Sequence, residues 1–363
     1  MHPSSTSSSR RDGRTVLYFA LALAGLLLLA ESVLRVPAVT RALPRPEPSL
    51  WHAPLVQTKL DYLKRFQAEY GIDVLFIGNS SVQSGVSPDA FEAALGVQGI
   101  SRRRSFNGAI EGLPPYGVRL FLQIYLRYAH PTVVVYGLTP QDLNSNSPWA
   151  HDVSGRIRDS ILAQAESRSG LRGWAYGKLL AYSSLFRYRY LLHQLVIRAG
   201  HVDDEPYVYF NERGFHPLPG RLSDLPPAQR SRFFNRAGVL NYSAEGTQRQ
   251  EIEKIVDICA ARNIRLIFVN MPLSDHYYAN FDRPRDYRTY LDALRSLAKE
   301  RAVPMWDMEH VPPGDNLTDK DFADFNHLNQ WGAARLSALI GQRYRELNAG
   351  RLLQAGVRSA TQP

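Results

Sequence analysis

The sequence predicts an α/β protein: a three-layer α/β/α arrangement around a mostly parallel sheet, preceded by one N-terminal apolar helix and interrupted by a largely helical insertion. Three observations predict it. Short apolar runs alternate with longer stretches of helical periodicity, the pattern of a parallel sheet covered on both faces. One unbroken apolar run, Val16–Ala30, stands near the N-terminus. The chain has 363 residues, 44% hydrophobic and 21% charged, which is ordinary globular usage with room for an enlarged α/β domain.

The N-terminal run sets the compartment. Arg10, Arg11 and Arg14 precede it, and Glu31, Ser32, Val33 and Leu34 follow it. Val16–Leu34 would be about 28 Å long as a helix, close to the ~30 Å of a bilayer core. The expected division is 1–14 as a cytoplasmic tail and 15–35 as a transmembrane signal anchor. A signal peptide cleaved near Ala30-Glu31-Ser32 and a buried core helix are the other two readings. No cysteine follows the run, which excludes a lipoprotein anchor. Arg35, Arg41 and Arg45 nearly balance the arginines ahead of the run. A short basic tail before a first apolar run usually stays cytoplasmic, which puts the rest of the chain outside a bacterial inner membrane, in the periplasm.

Composition excludes several classes. The net charge is +9, and outside the membrane this points to anionic lipid headgroups or an acidic glycan, not nucleic acid, with a simply soluble, Arg-rich surface as the other reading. Mean hydropathy of −0.28 excludes a polytopic membrane protein. The single cysteine, Cys259, excludes an intramolecular disulfide and a cysteine-cluster metal site.

The elements follow in order. Residues 36–55 carry five prolines and read as an extended linker. A helix is expected over Gln57–Tyr70, then a buried strand at Asp73–Gly78, whose continuous apolar run ends in glycine. Pro88–Leu95 reads as a helix entered through Ser87 with proline at its first position. A second strand is expected at Ser105–Ala109, a helix at Tyr116–Tyr128 and the clearest strand at Thr132–Gly137. Residues 144–240 break the alternation. They hold helical patterns near Arg156–Ser167 and Leu180–Ile197 and a loop-like stretch at 201–230, and read as an insertion over the carboxyl edge of the sheet. The alternation resumes with a helix at Ser243–Ala261, a strand at Ile264–Asn270, a helix at Asp286–Glu300, a short strand at Val303–Asp307 and a last helix at Gln330–Leu347. Residues 348–363 read as a flexible tail. The chain shows no internal repeat and no phosphate-binding glycine loop.

Two motifs carry chemistry. In Phe76-Ile-Gly-Asn-Ser80-Ser81 a hydroxyl follows a parallel strand and precedes a helix, which lifts it above the carboxyl edge where ligands of open α/β folds bind. The turn also aims backbone N–H groups at that spot. Ser80 suits the strand register better than Ser81. In Asp321-Phe-Ala-Asp324-Phe-Asn-His327 the spacing lets Asp324 and His327 lie side by side. A carboxylate there can hold the Nδ1–H of the imidazole and leave Nε2 facing a nucleophile. Taken singly, a serine in such a turn is more often a helix cap, and the Asp/His pair more often caps the last helix.

Together the motifs resemble the SGNH (GDSL-type) hydrolase superfamily over about 70–143 and 241–347, and the resemblance implies an SGNH/flavodoxin-like catalytic domain at 56–347 that carries the insertion 144–240. Gly78-Asn79-Ser80 stands where the family has Gly-Asp-Ser, and Asp324…His327 matches its terminal pair. Ser105-Phe-Asn107-Gly-Ala-Ile-Glu-Gly112 is similar to the second block, whose glycine donates to the oxyanion. The resemblance implies Ser80, His327 and Asp324 as a triad and the N–H groups of Ser80 and Gly112 as an oxyanion hole. The third block departs from the family. Its asparagine, a side-chain donor, is missing from Gly137-Leu-Thr-Pro-Gln141-Asp142-Leu-Asn144, where Thr139, Gln141 or Asn144 could compensate.

The motif wording is closest to membrane-anchored SGNH-like proteins of surface-polymer acylation, of the teichoic acid D-alanyl-transfer and alginate O-acetylation types. That likeness implies a serine O-acyltransferase or esterase acting on a polysaccharide. It implies an acyl donor and a glycan acceptor as partners, a multispan membrane O-acyltransferase beside it, and no cofactor. A non-catalytic scaffold that binds a glycan or such a partner is the alternative. Asn79, Asn107, Gln141, Asn144 and His276 are candidate substrate contacts, although Asp275-His276 reads more readily as a surface loop. Glu309 and His310 lack further histidine or cysteine at ligand spacing, so no metal is expected. Arg187, Tyr188, Arg189 and Tyr190 could stack on sugars or reach phosphate, or form a half-exposed helix with snorkelling arginines. Cys259 is expected to be buried and inert.

Overall fold

A computed structural model of the chain describes residues 8–42, 53–96, 104–148, 174–175, 178–179, 182–186, 192, 210–230, 238–311 and 316–360. The predicted helices near Arg156–Ser167 and most of Leu180–Ile197, and the run Arg187–Tyr190, lie outside the described residues.

Five strands form one sheet: β1 (Val74–Ile77), β2 (Ser105–Asn107), β3 (Val133–Leu138), β4 (Arg265–Asn270) and β5 (Met305–Asp307). Every pairing is parallel, in the order β2-β1-β3-β4-β5. The predicted mostly parallel three-layer architecture is therefore the observed one. The four residues of β1 and the six of β3 are all buried, because a parallel sheet carries helices on both faces and leaves no polar side. Side chains alternate between two cores, as the two-residue strand period requires. Leu75, Ile77, Val134, Tyr136 and Phe268 enter one, and Val74, Phe76, Val133, Val135, Ile267 and Val269 enter the other.

The helices are numbered along the chain. Ahead of the sheet come α1 (Ser8–Leu34), α2 (Pro37–Ala42) and α3 (Ala53–Tyr70). Between β1 and β4 lie α4 (Ser80–Gly85), α5 (Pro88–Gly96), α6 (Pro115–Tyr125), α7 (Pro140–Leu143) and α8 (Thr247–Ala260). After β4 come α9 (Asp275–Tyr278), α10 (Asp286–Glu300) and α11 (Gln330–Ala360). Leu60 and Leu63 of α3, Phe121 and Ile124 of α6, Ile252 and Ile255 of α8 and Leu294 of α10 cover the first face. Phe91 of α5 and Leu336, Ile340 and Tyr344 of α11 cover the second. There the Phe91 ring stands edge-on to Phe76 and Tyr344, with centroids 5.1 and 5.6 Å away.

Several boundaries differ from expectation, each for a local reason. The proline-rich stretch is not extended throughout, because Pro37 occupies the first position of α2, where its missing N–H costs nothing. The strand expected through Ala109 stops at Asn107, whose side-chain Oδ1 accepts the Ala109 N–H at 3.0 Å and turns the chain. α8 begins at Thr247 instead of Ser243 because Gly246 sits at φ 115°, outside helical space. α11 continues past Leu347 to Ala360, where a tail was expected.

α1 contains the apolar segment Thr15–Leu34, 20 residues of mean hydropathy 2.2, exposed along most of its length but partly buried at Ala30 and Glu31 and buried at Leu34. It is long and apolar enough for a membrane anchor or a signal sequence. The longest described part of the insertion, 210–230, passes over the carboxyl side of the sheet. The Asn107 N–H donates to Arg213 O at 2.9 Å, His216 N to Gln83 O at 3.0 Å and Leu222 N to Phe322 O at 2.7 Å. Gly214, at φ 80°, allows the tight approach, since a Cβ there would lie 2.0 Å from the Asn107 carbonyl oxygen.

Candidate active site

The chain runs from β1 to β2 on one side and then crosses from β2 to β3 on the other side of β1, so the carboxyl end of β1 is the topological switch point where open α/β sheets bind ligands. Gly78 makes the exit turn at φ 150°; a Cβ there would meet Gly137 O at 2.8 Å and Val82 Cγ2 at 2.4 Å. Asn79 caps α4, its side-chain oxygen accepting the Ser81 N–H at 2.9 Å. Ser80 is thereby the first helical residue and stands half-buried at the sheet edge.

Ser80 Oγ lies 2.8 Å from His327 Nε2, and His327 Nδ1 lies 2.8 Å from Asp324 Oδ2. The 324–327 spacing closes as a tight loop, not a helical turn: Ala323 N donates to His327 O at 2.8 Å, and Phe322 bridges Leu328. Asp324 Oδ1 accepts the N–H groups of Asn326 and His327 at 3.0 and 2.8 Å, which fixes the carboxylate. Ser274 Oγ, beyond β4, donates to Phe325 O at 2.6 Å and holds the loop from the other side. With Nδ1–H donated to the carboxylate, Nε2 carries the lone pair and accepts the Ser80 hydroxyl proton.

Charge reinforces this arrangement. Burial alone would lower the His327 pKa, but the charge and hydrogen bond of Asp324, with the charge of Glu111, carry it above the ordinary imidazole value. Burial pushes Asp324 up, yet His327 and the backbone donors hold it below the usual carboxylate value. The pair therefore favours an ionised carboxylate beside an imidazole that readily takes a proton.

The backbone supplies two further donors. Gly112 sits in a turn at φ 64°, tied to the Ser80 loop by Ile110 N to Gly78 O at 3.2 Å and Glu111 N to Gln83 Oε1 at 2.6 Å. Among the described residues neither the Ser80 nor the Gly112 N–H has a hydrogen-bond partner.

The other predicted contacts are engaged elsewhere in the protein. Thr139 Oγ1 donates to Asp142, closing the capping box of α7. Asn144 Nδ2 donates to Gly238 O and Leu240 O at 3.0 and 3.1 Å, and the Gln141 side chain packs against Gly238, so both clamp the end of the insertion. Asn107 Nδ2 donates to Val82 O and Val86 O at 2.9 and 2.7 Å. Asn79 bridges to Thr139 and Asp142. His276 Nε2 meets Asp319 Oδ2 at 3.2 Å. Each ends or follows a strand at the carboxyl edge, but Asn79, Asn107, Asn144 and His276 hold backbone or a carboxylate of the fold, and Gln141 packs against Gly238.

The remaining sequence candidates separate clearly. Ser81 Oγ donates to Asn326 O at 3.4 Å, not to His327. Glu309 accepts from Leu273 N at 2.6 Å and from Tyr278 Oη, and His310 Nδ1 lies 3.0 Å from Asp307. Cys259 is buried, and burial pushes its thiol up to about 12, as an inert cysteine requires.

Three titratable groups near the triad escaped the sequence reading. Lys59 of α3 is fully buried; its Nζ donates to Ala109 O and lies 4.9 Å from the Phe210 ring centroid. Burial brings its pKa down to about 7, partly opposed by the charge of Glu111. Burial brings Glu111 up to about 7, opposed by His327 and Lys59. Burial and the same two cations bring His216 down to about 4. Among the described residues the Glu111 carboxylate makes no hydrogen bond or ion pair, which leaves an acceptor free beside His327. The signal for Lys59 was its place in the stripe Lys59, Leu63, Phe66, where a helix otherwise presents apolar side chains.

Fold and site together define a doubly wound α/β protein with a Ser–His–Asp arrangement at its switch point. A family model that carries no description matches residues 240–347, short of half the chain. No curated protein matches the sequence. Among solved structures it is similar to a protein of Bacteroides fragilis NCTC 9343 described as a candidate acylhydrolase, at 14% identity and TM-score 0.39, over 80% of this chain and 97% of that one. It is similar to the acetyl xylan esterase AlAXEase at 14% identity and TM-score 0.36, over 73% and 96% of the two chains. It is also similar to the M. smegmatis aryl esterase at 12% identity and TM-score 0.34, over 76% and 100%.

Proposed function

We propose that the protein is a membrane-anchored, extracytoplasmic serine acyl-transfer enzyme of the SGNH type, acting on ester-linked acyl groups of a polysaccharide. The observation that carries this reading is the unbroken chain of contacts from Ser80 Oγ through His327 to Asp324, 2.8 Å at each step. A helix cap or a core histidine would need only one of them.

In this reading Ser80 Oγ attacks the carbonyl carbon of the acyl donor while His327 Nε2 takes the hydroxyl proton and Asp324 stabilises the imidazolium. The oxyanion forms against the N–H groups of Ser80 and Gly112. Collapse breaks the donor's acyl bond, and the leaving oxygen or sulfur takes the proton from His327. The acyl-Ser80 ester is then attacked by a sugar hydroxyl, or by water, which gives its proton to His327. Ser80 leaves with that proton and the enzyme is restored. A sugar acceptor makes the protein an O-acyltransferase, with acetyl the simplest acyl group; water makes it an esterase. Residues 15–35 are the anchor and 56–347 the catalytic domain, and a multispan membrane O-acyltransferase is the proposed partner that hands over the acyl group.

The rival reading is a scaffold that binds a glycan or that partner without chemistry. It is favoured by the third block, where Thr139 and Asn144 are engaged elsewhere and supply no side-chain donor to an oxyanion. Full-length protein and Ser80→Ala, each incubated with p-nitrophenyl acetate and read by intact mass, separate the two. The enzyme forms an acetyl adduct that Ser80→Ala lacks. No adduct and no turnover on any short acyl ester would favour the scaffold. Candidate glycans added to the acylated form would distinguish transfer from hydrolysis.

A further inference from the structure

The end of α1 is fastened to a distant part of the insertion. Glu31, in the last turn of the apolar segment, accepts hydrogen bonds from Ser184 N at 2.7 Å, Leu185 N at 2.9 Å and Ser183 Oγ at 2.9 Å. Residues 184–186 are a helical turn, so the carboxylate caps its N–H groups from outside the segment. Arg35, paired with Glu31 at 3.0 Å, donates to Tyr182 O at 2.7 Å.

This latch sets a height. Glu31 precedes Leu34 by three residues, about 4.5 Å along a helix axis. An ionisable group so near hydrocarbon is tolerated only when it is paired, and its partners here are the backbone and hydroxyl of 183–185. Those residues must lie level with the outer end of the span.

The surface beside the latch suits that level. Trp174, Lys178 and Tyr182 are each helical, and the lysine brings the two rings together. Lys178 Nζ lies 6.0 Å from the Trp174 ring and 5.3 Å from the Tyr182 ring. Trp174 is 62% exposed, Tyr182 67% and Leu179 46%. Aromatic rings flanking a lysine are the side chains that partition to the headgroup layer, where the ring is half in hydrocarbon and the ammonium meets lipid phosphate.

We propose that the face carrying Trp174, Lys178 and Tyr182, with the exposed Leu179 next to Lys178 in the chain, is a lipid-binding surface. It seats in the headgroup layer of an anionic bilayer, with Glu31 and Arg35 latching it to the outer end of the anchor. The insertion then holds the Ser80 domain against the membrane instead of leaving it on a free tether. This rests on the reading of α1 as an uncleaved anchor.

The test uses full-length protein in vesicles of phosphatidylethanolamine and phosphatidylglycerol, with a nitroxide on one introduced cysteine, the native Cys259 being buried. The sites are Leu23→Cys in the span, Leu179→Cys in the proposed face and Asp292→Cys on the exposed side of α10. Collision with a water-soluble nickel complex should be at least about threefold lower at Leu179→Cys than at Asp292→Cys. The difference should vanish when Trp174→Ser and Tyr182→Ser are added. If Leu179→Cys is as accessible as Asp292→Cys while Leu23→Cys is protected, the lipid surface is wrong and the anchor stands. If Leu179→Cys becomes protected only on adding a membrane extract, the occupant is a protein and the proposal also fails. An accessible Leu23→Cys, or an intact mass lacking the residues before Glu31, would instead overturn the anchor reading.

Discussion

The Asn79 side-chain amide donates to both carboxylate oxygens of Asp142, at 3.1 and 3.0 Å. The same amide reaches Thr139 Oγ1 at 3.2 Å, while its oxygen accepts the Ser81 N–H. One side chain thus joins the turn after β1 to the turn after β3, across the switch point. The residue type follows from its partner. An aspartate at position 79, as in Gly-Asp-Ser, would face Asp142 with a second carboxylate and no proton to share. Burial already pushes Asp142 up to about 6, against the hydrogen bonds of Thr139 and Asn79 that hold it down.

Asn79→Asp is therefore expected to destabilise the domain by ~2–4 kcal/mol at neutral pH, the scale of breaking a buried polar pair. The loss should be larger at pH 8, where both carboxylates ionise, than at pH 5, where one holds a proton that bonds the other. Asp142→Asn in the same chain reverses donor and acceptor and should restore most of the loss. Urea melts of the four combinations make the test. Equal stability of Asn79→Asp and wild type at pH 8 would show that Asp142 does not dictate the residue.

Removing the carboxylate behind the imidazole should act on rate and leave the fold intact. Asp324→Asn keeps the shape but can donate where it must accept, which permits the wrong imidazole tautomer and costs about 10³–10⁴ in kcat in such arrangements. The readout is p-nitrophenyl acetate turnover beside an unchanged far-ultraviolet spectrum. Full activity in Asp324→Asn would remove it from the mechanism.

Glu111 gives a pH prediction whose sign is fixed. The base form of His327 must be neutral, so kcat/KM rises with pH through the His327 pKa. The negative charge of Glu111 stabilises the imidazolium and helps carry that pKa upward. Glu111→Gln removes the charge, the imidazole becomes more acidic, and the acid limb of kcat/KM moves to lower pH. An unmoved limb, or one displaced to higher pH, would separate Glu111 from His327 energetically.

How much of this the sequence held depends on the range over which each feature is determined. β1, β3 and β4 are runs of apolar residues whose burial on both faces is a local pattern, so they were legible. The Asp324/His327 pair was legible because three residues of separation bring the side chains together in a helix and in a tight loop alike. Asn107, Gln141 and Asn144 were placed at the correct edge, but which way each side chain turns depends on partners such as Gly238 and Val86. Lys59 stayed hidden because a lysine beside Leu60 and Leu63 ordinarily snorkels to water. Phe210, Gly214 and Ala109, brought from far along the chain, help enclose it.

Lys59 carries the last prediction. Its folded pKa of about 7 lies below the ordinary 10.5, so between those values the unfolded chain binds a proton that the folded chain does not. Stability from this group therefore rises with pH across that window, and at pH 7 the buried amine opposes folding. Lys59→Met keeps the length and packing of the side chain but removes the ammonium, the cation–π contact with Phe210 and the bond to the Ala109 carbonyl. The desolvation of a lone buried ammonium outweighs one hydrogen bond, and the variant should be more stable by about 1–3 kcal/mol at pH 7. The gain should shrink toward pH 10, as the unfolded lysine of the wild type also loses its proton. If Lys59 tunes Glu111, the stabilised variant should also move the acid limb of kcat/KM to lower pH, since the Lys59 charge helps keep Glu111 ionised beside His327. Thermal melts of both proteins at pH 7 and 10, with p-nitrophenyl acetate kinetics alongside, read all three effects. A lower melting temperature for Lys59→Met at pH 7 would mean that the Ala109 and Phe210 contacts outweigh desolvation, and that Lys59 is a structural tie.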